Sequence, residues 1–247
     1  MLGLPDSIRG CLFDLDGVLT QTATVHALAW KEMFDAFLDQ QAAATGEPFV
    51  PFDTVRDYGA YVDGMPRADG VRKFLASRGI SLPEGFPDDR PEAETVAGLG
   101  NRKNELVLQL IDERGVTVFE GSVRYVHAVR DAGLSLAVVS SSANTVSILE
   151  SAGLAELFEV RIDGVVAAER GLPGKPRPDT FLAGAEALGL EPKEAAVFED
   201  ALAGVEAGVA GGFGYVVGVD RIDQAAALRE RGADIVVCDL AEFLEHQ

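Results

Sequence analysis

The chain has 247 residues, 47% of them hydrophobic and 25% charged, which fits one large or two modest globular domains and excludes a mainly disordered chain. Its 21 basic and 40 acidic residues give a formal charge of −19. Such a surface repels phosphate polymers and anionic headgroups, so the expected partner is a small molecule rather than a nucleic acid or a membrane.

The longest uncharged stretch, residues 132–149, carries five Ser, one Asn and one Thr and is no membrane span. Residues 1–9 include Pro5, Asp6 and Arg9 and no apolar signal core, so no export signal is expected. Cys11 and Cys238 are the only thiols, each in an apolar run. Two buried, reduced cysteines and a cytoplasmic location are the expectation. The histidines His26, His127 and His246 show no metal-type spacing.

In chain order, an apolar run at 8–13 predicts a first strand. About 120 residues with almost no strand signal follow. Within them His26, Trp30, Met33 and Phe37 recur at helical spacing, predicting a helix over 24–38. Further helices are predicted over 67–78 and 94–114, joined by breaker-rich segments at 46–51 and 82–91. A helix over 122–131 leads into a strand at 134–139. Strands at 195–198, 215–219 and 234–237 then alternate with helices over 143–152, 178–188, 201–210 and 223–231. Near-continuous apolarity suits strands covered on both faces, and the alternation predicts an α/β fold with a parallel, Rossmann-like sheet. The stretch after the first strand is expected to form a second, smaller helical domain over 21–104, with 1–20 and 105–247 as the core.

Three of the strands end on polar groups: Asp14 and Asp16 after the first, Ser140, Ser141 and Ser142 after the second, Glu199 and Asp200 after the third. Ligands of open parallel sheets bind outside the carboxyl ends of the strands. At any single tip, polar residues simply mark a strand's end; three tips together predict one crevice. Asp14 and Asp16 leave an extended backbone on the same face, and Gly17 permits a sharp turn. Crowded carboxylates need a compensating cation, and an oxygen-only set points to a hard ion, Mg2+ above all. A carboxylate beside Mg2+ can attack phosphorus while its neighbour moves a proton, and a serine hydroxyl and a lysine can hold the phosphoryl oxygens. Lys175, in a loop stiffened by Pro176 and Pro178, supplies that cation, although a solvated loop lysine is the plainer reading of it in isolation.

Phe13-Asp14-Leu15-Asp16-Gly17-Val18-Leu19, Ser140, Lys175-Pro176 and Phe198-Glu199-Asp200 resemble, in order, the four motifs of the haloacid-dehalogenase-like superfamily. The resemblance implies that Asp14 is the nucleophile and Asp16 the general acid/base. It places Mg2+ on Asp14, the Asp16 backbone carbonyl and Asp200, with Glu199 in or near that shell. It also implies that Ser140 and Lys175 grip the phosphoryl group and that the helical insertion is a C1-type cap. Within the superfamily the likeness is to the β-phosphoglucomutase-like branch, carried by the stretch 22–26 with Trp30-Lys31, by Gly64-Met65-Pro66-Arg67, by Arg102-Lys103-Asn104 and by Ser140-Ser141-Ser142-Ala143-Asn144. That likeness implies substrate contacts from Asp16, His26, Trp30, Gly64, Met65, Arg67, Lys103, Ser141, Ser142 and Asn144. Arg67 and Lys103 would hold the distal phosphate of a small phosphorylated sugar.

The implied reaction takes β-glucose 1-phosphate to glucose 6-phosphate through a 1,6-bisphosphate and an aspartyl-phosphate. A sugar-phosphate phosphatase, with water as acceptor, is the alternative; a non-catalytic phosphosugar-binding relative is a more remote one. The chain departs from the branch at Asp63 and Ala143, where lysines are usual, and at Gln21, where an acid is usual. Two missing cations make the grip on the distal phosphate weaker, or leave it to Arg67 and Lys103 alone. A charge of −19 fits a monomer.

Overall fold

The structure is a computed structural model that describes residues 2–245; His246 lies outside the described residues. Six strands form one parallel sheet in the order β3-β2-β1-β4-β5-β6. They are β1 (Gly10–Phe13), β2 (Ser135–Val139), β3 (Val160–Ile162), β4 (Ala195–Glu199), β5 (Tyr215–Val219) and β6 (Ile235–Val237). β1 is central and fully buried, so its side chains must be apolar on both faces. Leu12, Ala137 and Val197 face a core that includes Phe181, Val205 and Phe213. On the opposite face Phe13 stacks on Phe198 at 4.4 Å between ring centroids, with Tyr125 edge-on at 6.4 Å.

The chain divides into two compact units, one made of the segments up to Gln21 and from Val116 onward, the other of Thr22–Gly115. The second unit holds α1 (Thr22–Thr45), α2 (Arg56–Tyr61), α3 (Arg67–Ser77) and α4 (Val96–Arg114). Its core is aromatic: Phe34 lies 5.1 Å from Trp30, 5.3 Å from Phe52 and 4.2 Å from Phe74. A unit boundary at 104/105 would cut α4, which runs unbroken from its Thr95 cap to Gly115. The boundary therefore falls eleven residues later than the composition suggested. In the first unit the segments flanking the insertion run side by side: Gln21 N–H donates to the Thr117 carbonyl at 2.8 Å and Phe119 N–H to the Leu19 carbonyl at 2.9 Å.

The remaining helices are α5 (Glu120–Asp131), α6 (Thr145–Ser151), α7 (Gly164–Arg170), α8 (Asp179–Ala187), α9 (Leu202–Ala210), α10 (Ala225–Glu230) and α11 (Glu242–Glu245). Of the two cysteines, Cys11 is buried in β1, but Cys238 is exposed, because the apolar run that contains it ends with β6 at Val237. Both are free thiols. No helix among the described residues is long and apolar enough to cross a membrane.

Candidate functional site

Register builds the site. Phe13 pairs with Val138 on one side and Phe198 on the other, so the next residues emerge together at the carboxyl edge. The last rung, Asp14 N–H to the Phe198 carbonyl at 2.9 Å, places the Asp14 side chain beside Glu199. Asp14, Glu199 and Asp200 are all buried.

Lys175 closes the cluster. Its ammonium donates to Asp14 Oδ1 at 2.5 Å, to the Val139 carbonyl at 3.1 Å and to Glu199 Oε1, and the whole side chain is only 1% exposed. Burial disfavours its charge, but the carboxylates of Asp14 and Glu199 and the hydrogen bonds to both hold its pKa above the ordinary lysine value. The plainer reading of a solvated loop lysine is thereby excluded. Burial drives the Asp14 carboxyl well above the usual range; Lys175 opposes this, and the charges of Glu199 and Asp16 add to it. Glu199 is held at its other oxygen by the Ala201 N–H at 3.1 Å.

Two glycines make room for these carboxylates. A Cβ at Gly204 would lie 1.9 Å from the Glu199 carboxyl carbon, and one at Gly17 1.9 Å from Asp200 Oδ2. Gly17 also sits at φ +98°, where L side chains are strained.

One oxygen each from Asp14, Glu199 and Asp200 lies within 4.8 Å of the others. Three buried carboxylates answered by one lysine leave an excess of negative charge, and the donors are hard oxygens. This set fits a divalent cation of the Mg2+ type. The Asp16 side chain does not belong to that trio and is engaged elsewhere: Ser140 Oγ donates to its Oδ2 at 3.4 Å.

The loop after β2 presents a chain of hydroxyls. Ser140 Oγ accepts from the Ser142 N–H at 3.1 Å, Ser142 Oγ from the Asn144 N–H at 3.1 Å, and Thr145 Oγ1 donates to the Ser142 carbonyl at 2.9 Å. The Ser140 N–H continues the sheet by donating to the Ile162 carbonyl at 3.0 Å, which fixes the loop's origin. Ser141 and Asn144 lie on this same short segment. The structure thus brings Asp14, Asp16, Ser140, Lys175, Glu199 and Asp200 to one rim, with Ser141, Ser142 and Asn144 adjoining.

The second unit assembles its own polar group. Lys103 Nζ lies 2.8 Å from His26 Nδ1 and 4.9 Å from the centre of the Trp30 ring. An ammonium has no lone pair, so Nδ1 accepts and the ring proton resides on Nε2. The Arg67 stem passes beside Gly100, one helical turn from Lys103 on α4, and burial lowers the Arg67 pKa. Gly64 and Met65 precede α3 in a turn where Met65 N–H donates to the Val62 carbonyl at 3.3 Å. His127 stands apart on α5, 3.4 Å from Arg130.

A fourth strand tip, outside the three that the sequence pattern singles out, adjoins the same rim. Beyond β5, Arg221 donates through Nε to the Gly17 carbonyl at 2.8 Å, and Gln224 Nε2 to the Asp200 carbonyl at 2.9 Å. The available signal was the same as at the other tips, a charged pair, Asp220-Arg221, directly after an apolar run.

Residues 8–212 match the family described as haloacid dehalogenase-like hydrolase. The chain is 58% identical over 247 residues to a β-phosphoglucomutase of Mycobacterium tuberculosis, covering 99% of this chain and 94% of that relative. It is 29% identical over 239 residues to hexitol phosphatase A of Escherichia coli, covering 95% and 93%. Among solved structures, a β-phosphoglucomutase from Clostridium difficile superposes with a TM-score of 0.75 at 25% identity, covering 95% of this chain and 92% of that one.

Proposed function

Because the chain belongs to the haloacid dehalogenase-like hydrolase family, we propose that it is a Mg2+-dependent phosphosugar mutase interconverting β-glucose 1-phosphate and glucose 6-phosphate. The single observation that carries the chemistry is the buried cluster at the sheet's rim, where Lys175 bridges Asp14 and Glu199 beside Asp200. The likeness to the mycobacterial mutase supports the choice of reaction.

Asp14, Glu199, Asp200 and the Asp16 backbone carbonyl would hold Mg2+, which supplies positive charge against the phosphoryl oxygens. The Asp14 carboxylate attacks phosphorus; the new Oδ–P bond forms as the bond to the sugar oxygen breaks. Asp16 gives that oxygen its proton, then takes a proton from the acceptor hydroxyl when the phosphoryl group leaves Asp14. Ser140 and the Lys175 ammonium donate to the phosphoryl oxygens. Lys175 also opposes the burial that raises the Asp14 pKa. Arg67 and Lys103 are assigned to the phosphate that is not transferred, His26 to a sugar hydroxyl, and Trp30, Gly64, Met65, Ser141, Ser142 and Asn144 to the sugar and its oxygens.

A phosphatase uses the same residues with water as acceptor, and the likeness to a hexitol phosphatase supports this second reading. A panel of α- and β-hexose 1-phosphates, scored separately for isomer and for free phosphate, decides between them. The mutase reading expects isomer from the β-glucose ester, helped by a bisphosphate primer. Steady phosphate release without isomer contradicts it and favours the phosphatase; neither product points to a binding protein.

A further inference from the structure

The turn after β5 is folded by one carboxylate. Asp220 Oδ1 accepts from the N–H groups of Ile222 at 3.2 Å and Gln224 at 2.8 Å, and Oδ2 from that of Ala225 at 3.1 Å. From this fixed turn Arg221 reaches inward, its side chain 14% exposed. Besides the Gly17 carbonyl, its guanidinium donates to the carbonyls of Val18 at 3.3 Å and Cys238 at 2.7 Å and to Ser122 Oγ at 3.3 Å. It lies 3.5 Å above the Phe119 ring and 3.7 Å from Asp239. Three residues further on, Gln224 holds the Asp200 carbonyl.

We propose that Arg221 and Gln224 are positioning residues for the cation site, tying the backbone that follows Asp16 to the backbone of Asp200. This rests on the reading of the carboxylate cluster as a Mg2+ site. Its physical ground is the gap between those two segments. Gly17 and the Asp200 carboxylate approach so closely that no side chain fits between them to set their spacing. The β1–β4 ladder supplies its last rung at Asp14 and Phe198, one residue short of Glu199 and two short of Asp200. Past that rung Lys175 ties the side chains of Asp14 and Glu199, and a single turn that grips the Gly17 and Asp200 carbonyls ties the backbone. Arginine suits this role because its planar fork of donors reaches several carbonyls at once, which an ammonium cannot.

The sign of the effect separates positioning from simple charge. Arg221 is electrostatically coupled to Asp200, so deleting its charge alone would tighten the hold on a divalent cation. Losing its hydrogen bonds loosens the geometry and weakens that hold. Outer-shell partners of metal ligands typically contribute about 10–100-fold in affinity or activity.

Calorimetric Mg2+ titration of the full chain, beside kcat and KM, tests the proposal on the parent, Arg221→Ala, Arg221→Lys and Gln224→Ala. Mg2+ affinity is expected to fall about 10-fold or more in Arg221→Ala, and less in Gln224→Ala. Arg221→Lys, with the charge but not the fork, should stay weakened, and kcat should fall with KM little changed. Unchanged or tighter Mg2+ binding in Arg221→Ala overturns the proposal. Should that variant fail to fold, parent-like binding in both Arg221→Lys and Gln224→Ala overturns it equally. A parent that binds no Mg2+ overturns the functional reading and this role with it, whereas a binding parent matched by its variants overturns this role alone.

Discussion

Lys175 balances charges that the interior would otherwise reject. Replacing it by methionine leaves Asp14 and Glu199 buried with no cationic partner, and breaking a buried pair in this way costs about 3–5 kcal/mol. The loss should depend on pH with a definite sign. Burial already raises the Asp14 pKa, and removing Lys175 raises it further. The folded variant therefore favours the protonated carboxyl. Its deficit relative to the parent is small while Asp14 is protonated in both folded proteins, and grows once pH rises above the parent's own raised Asp14 pKa. Denaturant melts of Lys175→Met and the parent from acid to alkaline pH check this; a deficit that stays constant over the whole range would show that the charges are not coupled.

Thiol chemistry gives a second test at this scale. Burial pushes the Cys11 thiol far above its usual pKa, while Cys238 is exposed. An alkylating reagent should label Cys238 in the native protein and Cys11 only after unfolding, as read by peptide mass. Native labelling of Cys11 would contradict the buried central strand. The strand-tip residues Asp14, Asp16, Ser140, Glu199 and Asp200 were legible because each follows an apolar run. The exposure of Cys238 was not, since Val236-Val237-Cys238 reads as continuous strand until the ladder stops at Val237.

Among elements, the start of α9 carries the clearest steric demand. Gly204→Ala drives a methyl into the Glu199 carboxyl, so Glu199 must leave Lys175 or the helix must shift. Overpacking of this kind costs about 1–3 kcal/mol, and turnover should fall with it. Thermal melts and kcat measured together check the pairing, and a variant with parental Tm and kcat would show the helix to be free to move. The long apolar strands and periodic helices could be read directly, whereas β3, α2, α7 and α11 could not. β3 has three residues with Arg161 at its centre, which leaves no run to detect. α7 buries none of its residues and depends on Asp163, whose Oδ1 accepts from the N–H groups of Val165 at 3.0 Å and Val166 at 2.9 Å. α2 is anchored likewise by Asp53 Oδ1, which accepts from Val55 and Arg56. Side-chain hydrogen bonds can start a helix that has no apolar stripe, and such a helix leaves no periodic pattern in the sequence.

On the scale of the whole molecule, the residues proposed for chemistry and those proposed for substrate choice belong to different units of the chain. Asp14, Asp16, Ser140, Lys175, Glu199 and Asp200 belong to the sheet-bearing unit; His26, Trp30, Arg67 and Lys103 belong to the insertion. Arg67→Ala should therefore suppress isomer formation by at least about 10-fold, the loss of a charge-assisted pair, while sparing hydrolysis of a small phosphate monoester. Equal losses in both assays would remove Arg67 from substrate selection. That the insertion is a separate helical unit could be read from its lack of strand signal, but its end could not, because α4 crosses residue 104 without a break in composition.

The central claim is that Asp14 carries the phosphoryl group in transit. Acid-quenched protein, incubated with Mg2+ and glucose 1,6-bisphosphate, can be digested with trypsin and the peptide spanning residues 10–31 weighed. The account predicts the mass of one added phosphoryl group, located on Asp14 and lost in Asp14→Asn. An unmodified peptide alongside continuing turnover, or the same label persisting in Asp14→Asn, would contradict it.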